Sequence, residues 1–247
     1  SLGTGNMVLG WSKTQGKNTL SSSDYKAGDR IPTKNGKYYM VIFGMSMDRA
    51  PSVITKATKF DKVYCVGDSR TADTKMALGV AVPSNVEFIA KWGEGLYWFK
   101  STGYRQLLSS VSKQPKNSKK AVIINLGVND LNNGRAYVTY MKKVAANLKK
   151  YNCKMYYLSV NPVNSAMIKS VGGKARSEAQ IASFNRTIYK NLCSGKNKSF
   201  TYINSCTNLQ MKGWISKRHD MGIYDGLHYS NATYLRIFDY CMRYLNR

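Results

Sequence analysis

Five short apolar runs, separated by amphipathic stretches, constrain this chain more than any other feature. They are Val63–Val66, Val86–Ala90, Ala121–Leu126, Met155–Val160 and Phe200–Ile203. The run Ala121–Leu126 is apolar at almost every position, the pattern of a strand covered on both faces. Between the runs the period changes. Arg70–Leu78 reads as a first helix, and Tyr97–Val111 as a second with Leu107, Leu108 and Val111 on one side. Arg135–Lys150 carries Tyr137, Met141, Val144 and Leu148 at three- and four-residue spacing, which is helical. Ser177 followed three residues later by Gln180 is a capping box that opens a helix to about Cys193. Tyr234–Leu245 closes the chain as a helix entered through Ser230 or Asn231 as N-cap. Strands alternating with helices predict a three-layer α/β/α fold around a parallel sheet. In such sheets ligands bind beyond the carboxyl ends of the strands.

Residues 1–59 follow a different pattern. Short aromatic and β-branched runs, such as Tyr38–Phe43, alternate with turn residues and predict a few strands. The chain therefore divides into a β-rich appendage at 1–59 and an α/β domain at 60–247. Gly10-Trp11-Ser12, Tyr25-Lys26-Ala27-Gly28-Asp29 and Tyr38-Tyr39-Met40-Val41-Ile42-Phe43 resemble the latter half of a Listeria–Bacteroides type repeat. That resemblance implies a piece of a larger exported or cell-surface protein. The alternative is a β extension that packs on the α/β domain.

Composition narrows the function classes. With 43% hydrophobic residues the chain can bury a core. No run reaches the ~18 apolar residues that a membrane span requires. Ser1–Asn6 show no charged start and no apolar stretch, so no signal peptide is visible, and any export signal is expected upstream. The 38 Lys and Arg against 13 Asp and Glu give a net charge of +25. These cations are spread along the chain and form no DNA- or RNA-binding module, so nucleic acid is not the expected ligand. No acidic metal-binding cluster accompanies them, which argues against a nuclease. A solvated basic surface, or adhesion to an anionic cell-wall polymer, fits better. Five cysteines without C-x-x-C spacing argue against a zinc or redox site. Cys65 and Cys153 read as core residues, whereas Cys193 and Cys206 flank a polar loop that an exported protein could close with a disulfide, and the sequence leaves their pairing open.

The chemistry sits at the ends of the runs. Val63–Val66 stops at Gly67-Asp68-Ser69-Arg70, and the C-terminal part contains Asp225-Gly226-Leu227-His228. A serine hydroxyl needs a histidine to take its proton, and the histidine works best with a carboxylate fixing its tautomer. The chain has two histidines. His228 lies three residues after an aspartate, and His219 lies in the basic stretch Lys217–Asp220, which reads as surface. Together with Gly93-Glu94-Gly95 and Gly127-Val128-Asn129-Asp130, these four blocks occur in the order of the SGNH (GDSL-like) hydrolases, which the chain resembles over about residues 60–247.

The resemblance implies a flavodoxin-like α/β/α domain and an ester-hydrolysing activity without metal or cofactor. It implies Ser69 as nucleophile, His228 as general base and Asp225 as its orienting carboxylate. The oxyanion hole falls to the Ser69 N–H, the Gly95 N–H and the Asn129 side chain; Gly95 matches the family position better than Gly93. The residue before the block II glycine departs from the family, with Lys91 or Trp92 where asparagine is usual. Arg70 stands where many relatives have leucine, and it is expected to pair with Asp68 or Asp73, the alternative being contact with an anionic substrate. Trp92, Tyr97 and Trp98 read as core or, alternatively, as a sugar-stacking platform. Residues 161–176 read as a long polar loop walling the site. The expected substrate is an O-acyl, foremost O-acetyl, ester on a carbohydrate, handled by an extracellular or surface-bound monomer. Lipase, thioesterase and acyltransferase chemistry run on the same residues, and a non-catalytic binder of wall polymer is the rival from another class.

Overall fold

The computed structural model describes residues 6–13, 15, 21–23, 25–26, 39–44, 58–216 and 224–247. Near the N-terminus β1 (Asn6–Ser12), β2 (Tyr25–Lys26) and β3 (Tyr39–Gly44) form an antiparallel sheet in the order β2-β1-β3. Asp24, Ala27–Asp29 and Lys37–Tyr38, which carry part of the repeat-like pattern, lie outside the described residues.

The five apolar runs become β4 (Lys62–Gly67), β5 (Val86–Ala90), β6 (Lys120–Asn125), β7 (Cys153–Leu158) and β8 (Thr201–Ile203). All pair in parallel, in the order β5-β4-β6-β7-β8. This is the doubly wound arrangement. The chain passes from β4 outward to β5, then crosses back to β6 on the other side of β4. The connections after β4 and β6 therefore diverge, and they leave a crevice at the carboxyl ends of these two strands.

Side chains alternate across the sheet as the period of two requires. Val63, Cys65, Ala121, Ile123, Tyr156 and Leu158 join one buried cluster with Ile237, Phe238 and Met242. Tyr64, Val66, Val122, Ile124, Met155 and Tyr157 join the other, with Leu107, Met141, Val144 and Phe184. The first face is covered by α1 (Ser69–Leu78) and α8 (Asn231–Leu245), the second by α3 (Tyr104–Ser112), α4 (Gly134–Lys149) and α6 (Glu178–Ile188). Both faces are buried, which is why these strands read as near-continuous apolar runs.

The caps follow the sequence. Ser177 accepts from the Gln180 N–H while the Gln180 side chain accepts from the Ser177 N–H, and Ser230 caps α8. Three expectations change. The helix expected over Tyr97–Val111 is α2 (Leu96–Trp98), a π-turn at Phe99–Gly103, and then α3. The 161–176 segment contains α5 (Ser165–Ser170), capped by Asn164, and an unexpected α7 (Ser205–Lys212) follows β8. Both are short and bury few apolar side chains (Ile168 in α5, Cys206 and Leu209 in α7), too few for a readable period. Cys193 and Cys206 are free thiols rather than a disulfide. Each is packed in the apolar core as a small hydrophobe, where burial pushes the thiols up to about 12 and about 11. Among the described residues no helix is long and apolar enough to cross a membrane.

Candidate active site

The turn from β4 into α1 depends on close packing. A Cβ on Gly67 would lie 2.0 Å from Thr71 Oγ1 and 2.5 Å from the Asn125 carbonyl, so only glycine lets the helix start this close to β6. Asp68 is the N-cap, its Oδ1 accepting the Arg70 N–H at 3.0 Å. Ser69 is thus the first helical residue, above the carboxyl ends of β4 and β6. Asp68 is buried. Desolvation pushes its carboxyl up to about 6, against the opposing pull of Arg70 and its N–H.

Far along the sequence, the Asp225 carboxylate builds its own loop. Its Oδ1 accepts the N–H groups of Leu227 and His228, both at 2.8 Å, and its Oδ2 lies 2.6 Å from His228 Nδ1. His228 Nε2 lies 3.0 Å from Ser69 Oγ. Burial alone would raise the Asp225 pKa, but the His228 ring and the two N–H donors outweigh it and hold the carboxyl at about 2. An ionised carboxylate can only accept, so Nδ1 carries the proton and the Nε2 lone pair faces the serine. Three residues separated by up to 159 positions are thereby in one hydrogen-bonded line.

Arg70 corrects its expected partners. It is 2% exposed, which removes it from contact with an anionic substrate. Its guanidinium donates to three backbone carbonyls: Leu227 at 3.0 Å, Asn161 at 2.9 Å and Pro162 at 3.1 Å. It also lies 4.9 Å from the ring centroid of Tyr229. Asp68 and Asp73 have other tasks. Asp68 caps α1, and Asp73 accepts from Trp92 Nε1 at 2.9 Å and from the Tyr234 hydroxyl at 3.0 Å.

Blocks II and III are joined side by side. Asp130 Oδ2 accepts the Leu96 N–H at 2.9 Å, and its Oδ1 accepts the Tyr137 hydroxyl at 2.7 Å. A Cβ on Gly95 would stand 2.5 Å from that Oδ2, so this position excludes a side chain. Asn129 Nδ2 donates to the Glu94 carbonyl at 2.8 Å. Arg176, which carried no sequence signal, donates to Asn129 Oδ1 and to the Val128 carbonyl, each at 2.8 Å. Of the three aromatics, Trp98 is core at 5% exposure, whereas Trp92 at 58% and Tyr97 at 84% face solvent. His219 lies outside the described residues. Among the described residues no three His, Cys, Asp or Glu side chains gather to hold a metal ion.

A parallel sheet of this order, with four motif blocks at its carboxyl end, defines a hydrolase of the SGNH type. The chain belongs to the GDSL-like lipase/acylhydrolase family, whose model matches residues 63–241, and it is therefore an ester-hydrolysing enzyme. No curated protein matches the sequence. Solved structures share the fold at low identity. A GDSL-like lipase from Bacteroides thetaiotaomicron superposes with a TM-score of 0.54 at 16% identity, covering 75% of this chain and 87% of that one. A protein from Slackia heliotrinireducens, described as an SGNH hydrolase, gives 0.54 at 13% identity over 74% and 97% of the two chains.

Proposed function

We propose that the protein is a serine esterase that removes an O-acyl group, foremost O-acetyl, from a carbohydrate through an acyl-serine intermediate. Ser69 Oγ attacks the acyl carbon as His228 Nε2 takes its proton, and Asp225 supports the imidazolium that forms. The oxyanion is met by the backbone N–H groups of Ser69 and Gly95 and by Asn129 Nδ2, which exchanges the Glu94 carbonyl for the substrate oxygen. Each such donor is worth about 3 kcal/mol of barrier. The alkoxide leaves with the proton from Nε2, and water repeats the sequence on the acyl-serine.

The observation that carries this reading is the relay itself, 3.0 Å from Ser69 Oγ to Nε2 and 2.6 Å from Nδ1 to Asp225. Its test is Ser69→Ala, which should abolish hydrolysis of p-nitrophenyl acetate in a protein that melts as wild type does. Unchanged turnover would remove Ser69 from the mechanism.

The carbohydrate part rests on Trp92. Asp73 lies one turn after Ser69 on α1, on the same helix face, and it holds the Trp92 indole by its N–H. Trp92 is 58% exposed and tied through Asp73 to the helix that carries the serine, so it offers a surface on which a sugar ring can stack. The net charge of +25 supports attachment to an anionic wall polymer outside the cell, with residues 1–59 as a separate module. Retention on teichoic acid that weakens steeply with salt is the expected result.

A further inference from the structure

We infer that Arg176 is a positioning residue for the oxyanion hole, setting which end of the Asn129 amide faces the substrate. The inference rests on the site reading above. An asparagine side chain has a donor end and an acceptor end of nearly the same shape, interchanged by a rotation about χ2. With Nδ2 toward block II, the amide meets a developing oxyanion with a donor. With Oδ1 there it would repel the charge. Asn129 is partly exposed, so packing alone does not choose between the two.

The Glu94 carbonyl, which accepts from Nδ2 at 2.8 Å, favours the first orientation only until the substrate oxygen takes its place, and Arg176 holds the choice from the other end of the amide. A guanidinium has donors and no acceptor, so the atom it faces has to be the oxygen. Nη2 stands 2.8 Å from Asn129 Oδ1. Rotation of the amide would set its NH2 against those N–H groups and lose the bond. The guanidinium is itself held, since Nε donates to the Val128 carbonyl at 2.8 Å and Nη1 to the Lys174 carbonyl at 2.9 Å. Val128 precedes Asn129, so one planar fork fixes both the backbone that carries the amide and the amide itself. Lysine, a single point donor, cannot reproduce that geometry. Donation from a cation to Oδ1 also draws charge out of the amide and strengthens Nδ2–H as a donor. Arg176 reaches Asn129 across 47 residues of chain, from the segment that ends at the α6 cap.

The test is a double-mutant cycle on p-nitrophenyl acetate with Arg176→Ala, Arg176→Lys, Asn129→Ala and the Arg176→Ala/Asn129→Ala pair. Arg176→Ala should lower kcat about 10–100-fold, up to the order of one lost donor, with KM within about twofold. In the Asn129→Ala background the same change should lower kcat by less than about twofold, because the group it positions is gone. Millimolar guanidinium should restore part of the rate to Arg176→Ala and none to the pair. Equal losses in both backgrounds, a change in KM alone, or no loss in kcat would overturn the inference. If Arg176→Ala melts far below wild type, Arg176→Lys and its own cycle with Asn129→Ala decide on the same criteria. Failure of the site reading is separate and would appear as turnover by Ser69→Ala.

Discussion

Arg70 Nε donates to the Leu227 carbonyl at 3.0 Å, tying the residue after the serine to the residue before the histidine. The other two arms of the same guanidinium hold the carbonyls of Asn161 and Pro162, beyond the end of β7. One buried side chain thus fastens three connections that meet at the site. The relay distance from Ser69 to His228 depends on that fastening as much as on the relay residues.

Replacing Arg70 with methionine roughly keeps the volume but takes the guanidinium donor from the Asn161 and Leu227 carbonyls, while the Pro162 carbonyl keeps the Tyr229 hydroxyl. At about 1–3 kcal/mol for each of the two unsatisfied groups, partly relieved by relaxation, the loss should be about 2–4 kcal/mol in chemical denaturation. Esterase activity should fall with it. A loss below about 1 kcal/mol would show that the clamp is dispensable.

Asp225→Asn retains an oxygen for the Leu227 and His228 N–H groups but no longer compels Nδ1 to carry the proton. The fold should survive, and kcat should drop on the order of 10³–10⁴-fold, as expected for a histidine in the wrong tautomer. A drop smaller than tenfold would contradict the orienting role.

Two carboxyl groups give stability opposite pH dependences. Asp225, held at about 2, stabilises the fold above the ordinary carboxylate range, and that contribution is lost as pH falls from about 4 toward 2. Asp68, pushed up to about 6, binds its proton more tightly when folded. Its contribution is therefore present at about pH 4 and lost as pH rises through 6. Asp68→Asn, which can still cap α1, should flatten the wild-type decline in stability between pH 4 and 6. An unchanged slope in that window would rule out Asp68 as its source.

Lys120 is fully buried at the start of β6, at the end of the sheet away from the site. Its Nζ donates to the carbonyls of Pro115, Ser118 and Tyr151, at 2.7, 3.0 and 3.0 Å. Lys120→Met should destabilise by about 3 kcal/mol in denaturant while leaving kcat at low temperature unchanged. A fall in kcat without loss of stability would point to a role not visible here.

Trp92→Ala should raise KM for an acetylated sugar several-fold and leave p-nitrophenyl acetate unaffected, since stacking on an exposed indole serves only the ring-bearing substrate. Equal effects on both substrates would argue against a sugar platform.

Much of the fold is legible in the linear chain because its causes are local. A strand covered on both faces has to be apolar throughout, so β4, β6 and β7 announce themselves. Ser177 and Ser230 cap helices with groups three residues away. Motif order likewise points to Ser69, Asp225 and His228, since glycines and polar residues interrupt apolar runs where the turns fall. α5 and α7 escape notice because they bury too little to leave a period.

The tertiary structure decided the partners. The Arg70 bonds to Leu227, Asn161 and Pro162, the Asp73 bond to Trp92, the Asp130 contact over Gly95 and the Arg176 bond to Asn129 join residues 19 to 157 positions apart. A guanidinium or a carboxylate in isolation has no preferred acceptor or donor; it takes whichever the packed backbone presents within about 3 Å. For that reason Arg70, expected beside an aspartate, instead holds three carbonyls, and two cysteines whose pairing the sequence left open remain apart as core thiols.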